Sequence, residues 1–129
     1  MSMSIEHFAI AAQDPDALAR WYCDHLGCSV RFKNDRTPPI YFLAQGDGPV
    51  LLELMPANDS ERAERQSSDP GHSHLAFFVD DFDGVHQRLL NAGVRFTAPP
   101  VARPDGAKLA FFHDGEGNLL QIIYRPRPL

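Results

Sequence analysis

The amino-acid sequence predicts an α+β fold of two repeated modules, each consisting of a strand, a helix and three further strands (βαβββ). The first observation is an internal repeat: HFAI at 7–10 matches HLAF at 74–77, and LLEL at 51–54 matches LLQI at 119–122. The second is the apolar spacing, which changes from alternating to helical after the first strand of each half. Two similar halves of roughly 60 residues therefore account for nearly the whole chain.

Both predicted helices have recognisable ends. Asp14 and Asp81 lie where an N-cap belongs, and Pro15 suits the first helical position. Gly27 and Gly93 follow the apolar stripes, where a helix end favours a residue that tolerates positive φ. The stripes consist of Leu18, Trp21, Tyr22 and Leu26 in the first helix and of Phe82, Val85 and Leu89 in the second.

The stripes also separate core residues from surface residues on the helices. Trp21 and Tyr22 lie on the apolar stripe of the first helix, so we predict that both are core residues. His25 and His86 lie elsewhere in the two helices and are predicted to be surface residues.

The later strands repeat as well, and a polar segment separates the halves. VRF stands at both 30–32 and 94–96, after each helix. PANDSERAERQSSDPG has no apolar periodicity, which indicates a solvated linker or flap. We expect one domain over residues 1–129, with modules at about 4–55 and 73–125 and a polar loop at 56–72.

Composition and charge narrow the class of protein. The net charge of −5 and the lack of a basic run argue against a nucleic-acid partner. The N-terminal residues do not resemble a signal peptide, and no apolar run approaches the ~18 residues that span a bilayer. Cys23 and Cys28 are too few for a disulfide scaffold and are expected to be reduced thiols. We expect a cytoplasmic protein that does not bind membranes.

Four polar residues interrupt the apolar strands at positions that the repeat makes equivalent. Side chains alternate along a strand, so His7, Glu53, His74 and Gln121 are each predicted on the face opposite the apolar one. The repeat pairs His7 with His74 and Glu53 with Gln121. Two imidazoles, a carboxylate and an amide oxygen form a plausible ligand set for a divalent first-row metal. A histidine on a strand is more often hydrogen-bonded than metallated, so the four carry weight only as a set.

The sequence resembles the vicinal oxygen chelate superfamily, which includes glyoxalase I, bleomycin resistance proteins and extradiol dioxygenases. The matching stretches are HFAIAAQDPDALARWYCDHLG, LLELMP, HLAFFVDDFDGVHQRLLNAGV and FFHDGEGNLLQI, which together cover almost the whole chain. The resemblance implies βαβββ modules that form a curled mixed sheet around a cup-shaped site. It is specific for the fold and weak for the reaction, because the fold hosts many chemistries.

The resemblance also implies a metal centre and a partner. The family's metal positions fall on His7, Glu53, His74 and Gln121, which would hold one divalent ion, Ni, Zn, Fe, Mn or Co. Short members of the family commonly form homodimers, so a homodimer is expected. Glyoxalase I usually has Glu where this chain has Gln121, and an amide has no basic site. A role as general base would therefore pass to Glu53.

Three functions remain open on the sequence alone. The first is a glyoxalase I-like lyase or isomerase that acts on a small α-oxo compound through a metal-bound enediolate, with Glu53 as the base. The second is a binding protein of the same fold that sequesters a small molecule or drug without chemistry. The third is a dioxygenase or thiol transferase with an unusual ligand set. Tight metal binding would favour the first or third over the second.

Other basic residues are candidates for contacts with substrate. His72 shares its strand parity with His74 and either lines the site or lies at the loop edge. His113, Lys108 and Arg103 flank the turn before the last strand. They either bind an anionic substrate group such as a carboxylate or form a solvated rim.

Overall fold

The computed structural model describes residues 1–129 and divides into two compact units, Met1–Arg62 and Ala63–Leu129. Each unit contains one strand, one helix and three further strands, as the repeat predicts. Unit 1 contains β1 (His7–Ala12), α1 (Pro15–Leu26), β2 (Ser29–Lys33), β3 (Tyr41–Ala44) and β4 (Leu51–Pro56). Unit 2 contains β5 (Leu75–Phe78), α2 (Phe82–Asn91), β6 (Val101–Ala102), β7 (Lys108–His113) and β8 (Leu119–Tyr124).

Each unit forms a mixed four-stranded sheet with the same strand order. Sheet 1 has the order β1-β4-β3-β2, and sheet 2 has the order β5-β8-β7-β6. The first strand of each unit pairs in parallel with the last, and the other pairs are antiparallel. The α+β class and the two βαβββ modules are therefore confirmed.

Helix α1 has the predicted ends. The Asp14 side chain accepts a hydrogen bond from the Ala17 N–H at 3.0 Å, which satisfies one of the unpaired amides of the first turn. Pro15 occupies the first turn, and Gly27 caps the C-terminus with φ 70°. A left-handed residue at this position is strained for any side chain with a Cβ, so glycine ends the helix at little cost.

Helix α2 begins in the same way and ends slightly differently. The Asp81 side chain accepts from the Gly84 N–H at 3.1 Å. The C-cap residue is Ala92, and Gly93 follows it with φ 82°, so the predicted glycine lies one residue past the observed cap.

One face of each sheet packs against the helix of its own unit. In unit 1 the buried residues alternate along β1 and β4 and include Ile10, Leu52 and Leu54, which lie on the helix side with Leu18 and Tyr22 of α1. In unit 2 the core includes Phe112, Leu120 and Ile122 from the sheet and Phe82 and Leu89 from α2. Burial of these side chains provides the main driving force for packing each helix on its sheet.

Two predictions for the helices need correction or refinement. His86 is half-buried rather than a surface residue, because its ring stacks on Phe82 at 6.0 Å and meets the edge of Phe96 at 4.6 Å. A residue on the side of an amphipathic helix becomes partly buried when a large side chain such as Phe96, from the segment that follows the helix, packs against it. Tyr22 is fully buried as predicted, whereas Trp21 is only half-buried. His25 is likewise half-buried rather than a surface residue, and its ring lies 5.0 Å from that of Trp21.

The segment between β4 and β5 contains no helix or strand. The Arg65 guanidinium donates to the backbone carbonyls of Asp69, Pro70 and His72 at 2.9–3.1 Å, which closes a local loop in unit 2. Cys23 and Cys28 are both free thiols, as expected. Neither helix is long and apolar enough to cross a membrane.

Candidate functional site

The helix-free face of sheet 1 carries the first two predicted site residues. This face is formed by His7, Ala9, Ala11, Phe42, Leu51, Glu53 and Met55, which alternate with the buried residues. His7 pairs in register with Leu51, and Ala9 pairs with Glu53, so Glu53 lies one diagonal step from His7. His7 Nε2 and Glu53 Oε1 are 3.4 Å apart. The two side chains therefore meet at one place, with the Glu53 side chain 16% exposed.

Two neighbours orient the His7 ring. His7 Nδ1 lies 2.8 Å from Glu6 Oε1, and because an ionised carboxylate only accepts, the ring donates from Nδ1. In the neutral ring, Nε2 then carries the lone pair and points toward Glu53. Phe42 of β3 meets the ring edge-on at 5.4 Å and pairs in register with Glu53.

The helix-free face of sheet 2 repeats this arrangement around His74. This face is formed by His74, Ala76, Phe78, Leu109, Phe111, His113, Leu119, Gln121 and Ile123. His74 Nδ1 lies 2.8 Å from Ser73 Oγ, and Phe111 meets the ring edge-on at 5.0 Å. A hydroxyl can donate or accept, so Ser73 orients the His74 ring without fixing its tautomer.

Gln121 lies in the centre of sheet 2, paired with Ala76 on one side and Phe111 on the other. The register places Gln121 on the helix-free face, whereas its neighbours Leu120 and Ile122 lie on the helix side, as the alternation predicts. Gln121 is only 7% exposed, and its side-chain amide makes no hydrogen bond. No buried side-chain nitrogen or oxygen in the structure lacks a partner, so the amide atoms of Gln121 keep some contact with solvent and are open to a ligand.

Each unit thus contains a half-site of four parts. A histidine at the start of the first strand is held at Nδ1 by the preceding residue, and a Phe ring packs against it. The same Phe pairs in register with Glu53 in unit 1 and with Gln121 in unit 2. Sequence reasoning missed Glu6 and Ser73, although both immediately precede the repeated histidines. Phe42 and Phe111 were also missed, because their spacing of 69 differs from the spacing of the histidines.

The half-sites have the donor chemistry that a divalent metal requires. In unit 1 the two facing atoms, His7 Nε2 and Glu53 Oε1, both carry lone pairs and lie 3.4 Å apart, an arrangement that suits a metal cation beside them. In unit 2 an imidazole and an unpaired amide share one face of the sheet. Held Nδ1 atoms are typical of metal-binding histidines. The structure contains no group of three His, Cys, Asp or Glu side chains that could hold a metal ion.

Of the other basic candidates, only His113 is placed by the strand register on the helix-free face of sheet 2. Lys108 does not face the half-site, because its Nζ pairs with Asp83 at 3.4 Å on the helix side of sheet 2. His72 is exposed, and its carbonyl accepts from Arg65. His113 lies on the helix-free face, opposite Leu119. Arg103 is exposed, and its N–H donates to Ala107 across the predicted turn.

Comparison with known proteins places this geometry in a family. Residues 4–122 match the family described as Glyoxalase/Bleomycin resistance protein/Dioxygenase superfamily. The chain is 23% identical over 92% of its length to biphenyl-2,3-diol 1,2-dioxygenase 3 of Rhodococcus globerulus, and it spans 61% of that protein's length. It is 27% identical to the uncharacterized protein YaeR of Escherichia coli (strain K12), with 92% of this chain and 93% of that protein covered.

Solved structures share the fold over nearly the full length. A superfamily member from Sphaerobacter thermophilus superposes with a TM-score of 0.78, 20% identity and 96% and 98% coverage. Lactoylglutathione lyase from Agrobacterium tumefaciens gives 0.69 at 23% identity, with 95% and 94% coverage. TnmS3, an antibiotic-binding protein from Streptomyces sp., gives 0.76 at 20% identity, with 97% and 98% coverage. At these identities the likeness concerns the fold alone.

Proposed function

Because the chain belongs to the glyoxalase/bleomycin resistance protein/dioxygenase superfamily, we propose that it is a metal-dependent lyase or isomerase of the glyoxalase I type, acting on a small α-oxo compound. The observation that carries the proposal is the meeting of His7 Nε2 and Glu53 Oε1 at 3.4 Å, with Nδ1 of the same ring held by Glu6. Because Glu6 accepts a hydrogen bond from Nδ1, the His7 ring directs Nε2 toward a metal ion bound beside Glu53.

The proposed ligands are the four residues that the resemblance implies. His7 and Glu53 would supply a nitrogen and a carboxylate oxygen, and His74 and Gln121 would supply a nitrogen and an amide oxygen. Four ligands are the usual number for a divalent ion such as Zn²⁺. We further propose a homodimer, as the resemblance implies, and light scattering on the purified protein tests this directly.

Glu53 is the proposed general base. When bound, a divalent ion polarises neighbouring substrate oxygens and makes the adjacent carbon–hydrogen bond more acidic. The Glu53 carboxylate removes that proton and returns it to the neighbouring carbon, so the reaction is an isomerisation that needs no redox partner. Gln121 cannot share this work, since its amide has no basic site. Neighbouring atoms cover most of the Glu53 side chain, which is 16% exposed.

Substitutions at Glu53 separate its two roles. Glu53→Gln keeps an oxygen that can ligate but removes the base, so we expect metal to be retained in part. Turnover of the hemithioacetals of methylglyoxal with small thiols should then fall at least ~100-fold. Glu53→Ala should lose both metal and turnover. Glu61→Gln, in the exposed loop, is the matched control. Equal turnover in Glu53→Gln and the parent would exclude Glu53 as the base.

A second candidate is a small-molecule binding protein. It is favoured by exposed aromatic rings on the helix-free faces, where Phe32 is 54% exposed beside Phe42 and Phe78 is 65% exposed. If the protein retains no metal after dialysis against Ni, Zn, Mn and Fe(II), this candidate replaces the enzyme. Retention of Fe(II) together with oxygen consumption would instead indicate a dioxygenase.

A further inference from the structure

Unit 2 carries a pair of basic residues next to its half-site. The segment before β6 pairs with β7 through a bridge between Phe96 and Phe112. His113 N–H donates to the Arg95 carbonyl at 3.1 Å, and Thr97 N–H donates to the Phe111 carbonyl at 2.9 Å. These bonds place Arg95 directly opposite His113 on the neighbouring strand.

Both side chains lie on the helix-free face. The Phe96 and Phe112 rings are in contact at 5.2 Å, and Phe112 is fully buried on the helix side. Because side chains alternate along a strand, Arg95 and His113 lie on the opposite face, the one that carries His74 and Gln121. His113 is half-buried and Arg95 is exposed.

Unit 1 lacks this pair, because Arg31, which matches Arg95 in the VRF repeat, lies at the irregularity between Val30 and Phe32 and has no register partner in β3. Phe42 and Phe111 occupy equivalent places, since they pair with Glu53 and Gln121 respectively. Two residues further along each strand are Ala44 in unit 1 and His113 in unit 2. Ser29 pairs with Ala44 just as Arg95 lies opposite His113. The two half-sites therefore differ in charge at the same relative position.

The basic pair is not neutralised by acidic neighbours. The two lysines, Lys33 and Lys108, have carboxylate partners in Asp16 and Asp83, whereas Arg95, like several other arginines of the chain, has none. Neither the Arg95 guanidinium nor the His113 imidazole makes an ion pair or a side-chain hydrogen bond. In a chain of net charge −5, an unpaired guanidinium beside a site is available to an anionic ligand.

We infer that Arg95 and His113 form a carboxylate-binding subsite that orients the substrate on unit 2. The planar guanidinium matches a carboxylate with two parallel hydrogen bonds, and the imidazole adds a third donor. His113 lies two strands from His74, about 10 Å at a strand spacing of about 4.8 Å. The inference of this subsite rests on the proposed function. Its ligand is a small molecule that has two neighbouring oxygens at one end and a carboxylate at the other, separated by an aromatic ring or a short chain.

Matched probes test this subsite without turnover. The probes are 3,4-dihydroxybenzoate and its uncharged amide, 3,4-dihydroxybenzamide, measured by titration calorimetry with Zn and again with EDTA. We expect the parent to bind the benzoate about tenfold or more tightly than the amide. Arg95→Gln and His113→Asn should reduce that preference several-fold and leave the affinity for the amide unchanged.

Two controls separate binding at this subsite from the overall electrostatic attraction of the protein and from the proposed enzyme activity. Arg88→Gln, on the exposed side of α2, removes the same charge and should leave the preference intact. An equal loss in Arg88→Gln, or no preference in the parent, would overturn the inference. Tighter binding of 3,4-dihydroxyphenylphosphonate than of the benzoate would overturn the choice of carboxylate. A parent that prefers the benzoate over the amide even in EDTA, and yet turns over no hemithioacetal, is the remaining outcome. That result would support this subsite and contradict the proposed enzyme.

Discussion

The two histidines of the half-sites are held by neighbours of different charge. Glu6 holds His7 through a carboxylate, and Ser73 holds His74 through a hydroxyl. A carboxylate partner makes an imidazole a stronger electron donor, so the two rings would differ as ligands in the proposed centre. The other member of each pair differs in the same sense, since Glu53 is charged and Gln121 is not. Among these site residues, the negative charge therefore lies in unit 1.

Replacing the amide with a carboxylate tests whether Gln121 faces a metal. In Gln121→Glu we expect the affinity for a divalent ion to rise by about tenfold or more, because a charge is added beside the cation. The same variant without metal should melt at a lower temperature than the parent, because an unpaired carboxylate is left largely buried. Thermal melts with and without Zn measure both effects.

The control for this variant is Gln87→Glu, which makes the same change on the exposed side of α2. It should alter neither the affinity nor the metal dependence of the melting temperature. If Gln121→Glu stabilises the protein equally with and without metal, Gln121 does not face an ion.

Cys28 provides a prediction with a defined pH range. Burial, with a smaller contribution from Cys23, raises the pKa of the Cys28 thiol from 9.0 to about 11, and its Sγ donates to Gln45 Oε1 at 3.0 Å. At pH 8 the thiolate fraction is then lower by about a hundredfold than in an ordinary thiol, so iodoacetamide should alkylate folded Cys28 far more slowly than unfolded Cys28.

The sign of the linked stability follows from the same shift. The folded state holds the Cys28 thiol proton more tightly than the unfolded state. The resulting contribution to the free energy of unfolding is present below pH 9 and is lost as the pH rises toward 11. Cys28→Ala should abolish that part of the alkaline loss in a urea titration. Rapid alkylation of Cys28 at pH 8 in the folded protein would contradict the assignment.

The helix ends show how far local sequence determines an element. Asp14 and Asp81 both cap helices through their side chains, and both were predicted from the position of an acidic residue before an apolar stripe. Asp14→Ala and Asp81→Ala should each lower the free energy of unfolding by about 1 kcal/mol. Chemical denaturation measures the change, and Asp24→Ala, exposed near the C-terminus of α1, should have little effect. Losses as small as that of Asp24→Ala would show that neither cap contributes.

Strand faces were also predictable, whereas contacts across strands were not. Alternation alone placed His7, Glu53 and Gln121 on the helix-free face, because one register places every second residue on the same side. Which Phe meets which histidine depends on the pairing of β3 with β4 and of β7 with β8, and no local pattern specifies that pairing. His86 was misjudged because the segment that follows α2 folds back and brings Phe96 onto its ring, which the helical spacing alone does not indicate.

At the scale of the whole molecule, the repeat makes two units that are alike in backbone and unlike in charge. Unit 1 carries Glu6 and Glu53, and unit 2 carries Arg95 and His113. The family and the βαβββ repeat could be identified from the sequence, because both depend on motifs that span the chain. The role of Arg95 could not, since it depends on the bridge between Phe96 and Phe112.

The measurement that tests the central claim most directly is the metal content per chain, by elemental analysis after loading and dialysis. The parent, Glu53→Ala and His74→Ala should be measured side by side, with circular dichroism confirming that each is folded. We predict close to one divalent ion per chain in the parent and a loss in both variants, because Glu53 and His74 are both proposed ligands. Full metal content in either folded variant would contradict the proposed ligand set.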